Sequence, residues 1–205
     1  MSTNRRIGAT DSKSRAHLLD VAERMLLEEG YAAVTSRKLG ARAEVSPQLV
    51  HYYFRTMDEL FVEVFRRRAE ESLQRVAEAL AEDGSLVSVW ELTSNPLGAR
   101  FNLEFAALAN HRKAISAEIA AYGERFRQLQ HAAIAARFDE LGISAEELPP
   151  TVALLAMTGL AQIMSIERSF GLVTGHAEAD AYVRDLLGRL EDAGHLAPSE
   201  RRASE

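Results

Sequence analysis

A run of aromatic, amide and hydroxyl side chains around residues 46–54 has the types and spacing that suit contact with a polyanion. Ser46 followed by Pro47 is typical of a helix start, with Ser as the N-cap and Pro at the first helical position. Val50 and Phe54 stand four apart, so we expect them to pack inward together. The side chains that we expect to project outward or sideways are Gln48, Leu49, His51, Tyr52 and Tyr53.

The outward residue types all have known contacts with a DNA duplex. Glutamine bonds an adenine edge, leucine packs on a thymine methyl, and tyrosine or histidine donates to phosphate oxygens. The alternative is that the aromatic run is simply core. It holds for Phe54, but three successive aromatics on so short a helix cannot all face inward. At the start of the preceding helix, Thr35, Ser36 and Arg37 suit phosphate contact. For Arg42, phosphate contact and a solvated surface charge stay equally open.

Composition narrows the possible functions. The chain has 205 residues and a net charge of −6. Residues 1–68 hold 12 Lys+Arg against 9 Asp+Glu, and residues 69–205 hold 12 against 21. A basic head on an acidic body suggests two tasks, and ordinary charge scatter is the alternative. Cysteine is absent, the six His lack metal-ligand spacing, and no catalytic motif occurs. We therefore expect no enzyme activity, no metal and no cofactor.

The chain shows no membrane or secretion signal. The most apolar stretch, Val152 to Ile166, falls short of the roughly 20 residues that span a bilayer. The stretch from Met1 to Lys13 is polar, unlike a secretory signal. We expect a cytoplasmic protein with no membrane partner.

The elements that must position these residues are all helical, because no sustained period-two alternation occurs. Thr56 to Glu59 has the pattern of a capping box that opens a long helix. The tail over 196–205 is polar and expected to be frayed. The predicted helices cover 14–29, 36–43, 47–54, 58–82, 86–92, 97–110, 114–141, 151–170 and 177–192.

The N-terminal third resembles the TetR family of transcriptional repressors. The resemblance is carried by an ordered string that covers about Lys13 to Leu60: Gly30-Tyr31, Val34-Thr35-Ser36-Arg37-Lys38-Leu39, Val45-Ser46-Pro47, Tyr52-Tyr53-Phe54 and Asp58-Glu59-Leu60. It implies an all-α chain with a three-helix DNA-binding domain over 13–60, whose helix-turn-helix spans about 35–54. It also implies a helical ligand-binding and dimerisation domain over 61–195.

By position, the resemblance implies contacts to the DNA backbone by the start of the second helix and base reading by the third. The implied DNA-binding residues are Thr35, Ser36, Arg37, Ser46, Pro47, Gln48, Leu49, His51, Tyr52 and Tyr53.

Three residues depart from the family pattern. Glu44 stands where the turn usually has Gly, which predicts a strained or unusual turn. Met57 stands where a Lys is usual, which predicts one phosphate contact fewer. His51 replaces a Tyr, which predicts a pH-dependent contact.

The body is predicted to bind a second copy and a small molecule. The helix over 151–170 is apolar on more than one side, so it needs two neighbours. The resemblance implies a homodimer through residues 151–192, with burial inside one subunit as the alternative. An apolar or amphipathic effector is expected in a pocket, although core or surface is the more ordinary place for each candidate. The candidate ligand-binding residues are Trp90, Arg100, Phe101, Glu104, Phe105, Met157, Gln162 and Met164.

The sequence favours a sequence-specific DNA-binding regulator, a repressor that a ligand releases from a palindromic operator. The alternative is an all-helical small-molecule-binding or enzymatic protein whose head no longer binds DNA. Glu44 and Met57 are the residues that favour this alternative.

Overall fold

The fold is all-α in the part of the chain that the structure describes. A computed structural model describes residues 9–201, and the side chains of 9–12, 96–97, 99–100 and 194–201 lie outside that description. The helices are α1 Ala9–Glu29, α2 Ser36–Arg42, α3 Pro47–Tyr53, α4 Met57–Glu82, α5 Leu86–Thr93, α6 Pro96–Ala109, α7 Lys113–Leu141, α8 Pro150–Ser169 and α9 His176–Arg201. A 3-10 turn, Tyr31–Ala33, joins α1 to α2.

The predicted all-helical fold is confirmed, with three local differences. The first helix begins at Ala9 rather than at Ser14. The 3-10 turn, which was not predicted, lies between α1 and α2. The last helix continues to Arg201 rather than ending at Asp192, and so includes the first part of the tail over 196–205, whose fraying stays a prediction. The remainder of that tail lies outside the described residues.

The chain divides into two compact units. The first comprises Met1–Glu70 and Phe101–Ala121, and the second comprises Glu71–Arg100 and Tyr122–Glu205. Helices α4, α6 and α7 each contribute residues to both units. The first is the N-terminal unit and the second is the C-terminal unit.

The core of the N-terminal unit is built from the apolar stripes of its helices. The apolar stripe of α1 is buried throughout and comprises Leu18, Val21, Ala22, Met25 and Leu26. Helix α4 adds a second line through Phe61 and Phe65. The ring centroids of Phe65 and Phe105 lie 5.1 Å apart, and those of Phe101 and Phe105 lie 4.5 Å apart. Aromatic pairs at such spacings add stability beyond the area that they bury. The rings therefore hold this part of α6 against α4.

The core of the C-terminal unit surrounds Trp90, the single tryptophan of the chain. Its indole Nε1 donates to Asp180 Oδ1 at 2.8 Å. Arg184 Nε donates to the other oxygen, Asp180 Oδ2, also at 2.8 Å. The hydrogen bond from Arg184, helped by the one from Trp90, lowers the pKa of the Asp180 carboxyl. The apolar residues packed in this core include Leu86, Val89, Ile134, Phe138, Leu154, Met157, Met164 and Leu187.

Helix α8 carries two apolar stripes. One stripe is buried, and its members are Leu154, Met157, Ala161 and Met164. The other is exposed and includes Val152, Leu155 and Ile163. The helix is long and apolar enough to cross a membrane by length and composition alone, a test that a core helix of a soluble protein also passes.

Candidate nucleic-acid interface

The two helices of the predicted helix-turn-helix are short, and each begins at a side-chain cap. Thr35 Oγ1 accepts a hydrogen bond from Lys38 N at 3.3 Å, which caps α2. Ser46 Oγ accepts one from Leu49 N at 3.3 Å, and Pro47 occupies the first helical position of α3. Each hydroxyl keeps its own hydrogen available, because it acts only as an acceptor in the cap. Both residues can therefore cap a helix and donate to a phosphate oxygen.

The turn between α2 and α3 is a Schellman motif that places a non-glycine residue in the left-handed region. Val45 N donates to Gly40 O at 2.8 Å and Glu44 N donates to Ala41 O at 3.4 Å, which is the bond pattern of that motif. Glu44 has φ 57°, where glycine is usual. The strained turn predicted at Glu44 is thus confirmed.

Gly40 is a requirement of this turn that sequence reasoning missed. A Cβ at this position would lie 2.8 Å from Val45 O and 3.3 Å from Pro47 N. Both atoms belong to the backbone, so neither can move aside cheaply. The missing side chain lets the end of α2 approach the start of α3. The signal available in the sequence was a glycine inside a predicted helix, where glycine costs stability relative to alanine and therefore suggests a packing reason.

The third helix divides its side chains between core and surface as predicted. Val50 and Phe54 are each 1% exposed, whereas Tyr52 is 65% exposed. Gln48 and His51 are also exposed. The edge of one tyrosine ring meets the face of the other, with Tyr52 and Tyr53 centroids 5.1 Å apart. The contact restricts Tyr52 without burying it, so α3 offers an amide, an imidazole and a phenol to solvent.

The remaining predicted DNA-contact residues lie at the surface or at its edge. Thr35, Arg37 and Ser46 are exposed, while Ser36, Pro47, Leu49 and Tyr53 are half-buried.

The basic residues near α3 differ in whether they have carboxylate partners. Arg42, left open by the sequence, pairs with Glu29 on α1, its Nη2 lying 2.5 Å from Oε1. Arg15 stands 5.1 Å from the centroid of the Phe54 ring and pairs with Glu63. Within the described part of the chain, no ion pair involves Arg37, Lys38 or Arg55.

The start of α4 is held by the predicted capping box. Thr56 Oγ1 accepts from Glu59 N at 3.1 Å, and Glu59 Oε2 accepts from Arg55 N at 2.9 Å. The reciprocal bond reaches the residue before the cap rather than the cap itself. Met57, the first residue of α4, is half-buried, and the Arg55 side chain is exposed. Sequence reasoning did not single out Arg55.

The predicted ligand-binding residues are divided between the two units. Trp90, Met157 and Met164 share the core of the C-terminal unit, and Gln162 is exposed there. Phe101 and Phe105 pack in the N-terminal unit. Glu104 Oε2 accepts from the backbone N of Tyr31 at 3.3 Å. The side chain of Arg100 lies outside the described part.

A surface groove of about 430 Å³ occurs in the C-terminal unit. The groove is lined by the end of α4, by the turn that precedes α5, and by α7. The lining residues include Leu80, Asp83 and Arg137. The predicted ligand-binding residues do not line it. Within the described chain, no group of three or more His, Asp or Glu side chains is placed to hold a metal ion.

Comparison with known proteins identifies the N-terminal segment. Residues 18–64 match the family model described as bacterial regulatory proteins, tetR family. No curated protein matches the chain by sequence. The matched segment contains α2, α3 and the turn between them.

Solved structures show the fold of the chain as a whole. A TetR transcription regulator from Haloarcula marismortui is 20% identical, with a TM-score of 0.70 over 89% of this chain and 98% of that chain. A transcriptional regulator from Rhodococcus sp. Rha1 is 20% identical, with a TM-score of 0.65 over 86% and 95%. A regulator from Saccharomonospora viridis, solved in complex with choline, is 16% identical, with a TM-score of 0.70 over 88% and 96%.

Proposed function

The N-terminal domain of this chain belongs to the tetR family of bacterial regulatory proteins, and we propose that the chain is a dimeric, ligand-responsive repressor of transcription. The observation that carries the proposal is the division of α3. Val50 and Phe54 anchor the helix in the core, while Gln48, His51 and Tyr52 face solvent. A major groove about 12 Å wide admits one such helix. The amide then reads a base edge, and the phenol and imidazole reach bases or phosphates.

The test is DNA binding by the full chain and by Tyr52→Ala. The probe is a duplex from upstream of the chain's own gene, with a mixed-sequence duplex as reference, followed by fluorescence anisotropy. Because a hydrogen bond to a charged group contributes about 1.5–3 kcal/mol, we expect the variant to lose at least tenfold in affinity. Circular dichroism should show unchanged helix content and melting, since Tyr52 is 65% exposed.

Tyr52→Phe separates the hydroxyl from the ring. If the hydroxyl contacts phosphate, Tyr52→Phe weakens binding as Tyr52→Ala does. Equal affinity for the three proteins would remove Tyr52 from the interface. Failure of the full chain to bind either duplex would favour the alternative, a helical small-molecule-binding or enzymatic protein.

We propose that a second copy covers the exposed stripe of α8. The described side chains on α8, α9 and their connection leave an unusual amount of apolar surface in solvent: Val152, Leu155, Ile163, Phe170, Leu172, Val173, Tyr182 and Leu186. Isolated exposed apolar residues are ordinary, but several on two consecutive helices and their connection favour an interaction face. A homodimer through about 151–192 would place two copies of α3 on the two halves of a palindromic site.

Sedimentation at several protein concentrations tests the dimer. Leu155→Glu places a charge in the exposed stripe and should yield a folded monomer with weaker DNA binding. Ala132→Glu adds the same charge at an exposed position of α7 and should leave the dimer intact. A dimeric Leu155→Glu would place the interface elsewhere.

The effector in this proposal is an apolar or amphipathic small molecule bound by the body. A ligand changes DNA affinity only through its different affinities for the two arrangements of the dimer. The fluorescence of Trp90 provides a direct titration, because the chain has no other tryptophan. Choline, which the Saccharomonospora viridis regulator binds, is a first probe. We propose that the protein acts in the cytoplasm, where its DNA would be, and that it has no enzyme activity.

A further inference from the structure

The arginines of the N-terminal unit whose side chains the structure describes fall into two groups that the sequence alone does not separate. In one group the guanidinium is paired with a carboxylate. Its members are Arg15, Arg42, Arg66, Arg67, Arg68 and Arg112. In the other group, no ion pair is formed with any residue that the structure describes. Arg37 and Arg55, which stand on either side of α3 in the sequence, belong to this second group.

We propose that Arg55 is a phosphate-contacting residue of the DNA interface, an inference that rests on the proposed function. Arg55 lies two residues beyond the end of α3, and its side chain is exposed. A helix of seven residues is about 10 Å long, close to the roughly 12 Å width of the major groove. A residue next to the end of such a helix therefore stands near the phosphates that border the groove.

The backbone of Arg55 is fixed on both sides. Phe54, immediately before it, is 1% exposed and ends α3 through a hydrogen bond from its N to Val50 O at 2.9 Å. The backbone N of Arg55 donates to Glu59 Oε2, also at 2.9 Å. That carboxylate is engaged with the main chain and forms no ion pair with the guanidinium among the residues described. Arg55 thus starts from an ordered position and retains its full charge for a phosphate.

Arg42 provides the matched comparison. It is also an exposed arginine of the helix-turn-helix, but Glu29 lies 2.5 Å away and Glu28 lies 4.0 Å away. Moving Arg42 to a phosphate exchanges one anionic partner for another. The lost pair with Glu29 offsets the gain from the new contact, so we expect Arg42 to stay paired, to neutralise no phosphate and to release no counterion. Residue type and exposure do not distinguish Arg42 from Arg55, whereas their carboxylate contacts do.

Salt dependence of DNA binding measures this difference. The logarithm of the binding constant falls with the logarithm of salt concentration, with a slope of about −0.9 for each phosphate neutralised. If Arg37, Lys38 and Arg55 each neutralise one phosphate in both heads of a dimer, the slope is about −5. Arg55→Gln should reduce its magnitude by about 2 per dimer, and Arg42→Gln should leave it nearly unchanged.

The experiment measures anisotropy of the full-length chain and its variants on a mixed-sequence duplex over a series of potassium chloride concentrations. Arg55→Lys keeps the charge and should keep the slope, while circular dichroism verifies folding of each variant. The assignment of Arg55 to a phosphate would be wrong if Arg55→Gln left the salt slope unchanged, or if Arg42→Gln reduced the slope equally. Either result would leave the proposed DNA binding intact. Absence of salt-dependent binding by the unmodified chain would overturn the proposed function as well.

Discussion

Replacing Glu44 by glycine should stabilise the protein, because the backbone at this residue adopts a conformation that glycine reaches at no steric cost. Glu44 has φ 57° in the turn between α2 and α3. Left-handed backbone costs a residue with a side chain about 1–2 kcal/mol. Glycine regains that energy but makes the unfolded chain more flexible, at a cost of about 0.4–1 kcal/mol. The expected net gain in the free energy of unfolding for Glu44→Gly is about 0.5–1 kcal/mol.

Urea denaturation followed by circular dichroism, at one fixed protein concentration, measures this gain. A fixed concentration is needed because the stability of the proposed dimer would depend on it. Glu44→Gln removes the charge but keeps the side chain in the left-handed region, so its stability should match the unmodified chain. Glu44→Asn should fall between the two, since asparagine tolerates this conformation better. If Glu44→Gln stabilises as much as Glu44→Gly, charge rather than backbone strain explains the gain, and our reasoning is wrong.

Two further substitutions test the packing of each unit. Gly40→Ala should lower the free energy of unfolding by about 1–3 kcal/mol, because the alanine Cβ would lie 2.8 Å from Val45 O. Urea denaturation measures this loss, and an unchanged free energy of unfolding would mean that the turn relaxes freely. In the C-terminal unit, the lowered pKa of Asp180 means that its carboxylate stabilises the fold above about pH 4, and that this contribution is lost as pH falls through the lowered pKa. Asp180→Asn should therefore be less stable at neutral pH and lose less stability on acidification, which the fluorescence of Trp90 reports; parallel pH profiles for the two proteins would exclude this role.

The helix-turn-helix was predictable because short-range interactions determine it. Thr35, Ser46 and Thr56 each cap a helix through a backbone N–H three residues ahead, and such contacts depend only on local sequence. The left-handed turn at Glu44 was predicted on a different basis, from the family resemblance, in which glycine is usual at this position. The inward side of α3 was predictable from the spacing of Val50 and Phe54.

The ligand-binding residues could not be predicted with the same security, because their contacts come from distant parts of the chain. Glu104 was a candidate ligand-binding residue, yet its carboxylate accepts a hydrogen bond from Tyr31 N, 73 residues away in sequence. Trp90 bonds Asp180, 90 residues away. Residue type indicates that such side chains prefer partners, but it does not indicate which partners. The effector site therefore stays a prediction.

The net charge of −6 is a poor guide to DNA binding in this chain. At physiological ionic strength the screening length is about 8 Å, so charges far from the bound phosphates contribute little. Near α3, Arg42 is already paired with Glu29, whereas Arg37, Lys38 and Arg55 form no ion pair with the residues described. An acidic protein can thus present a locally cationic helix-turn-helix. The number of unpaired cations beside α3, rather than the total charge, should determine how steeply binding depends on salt.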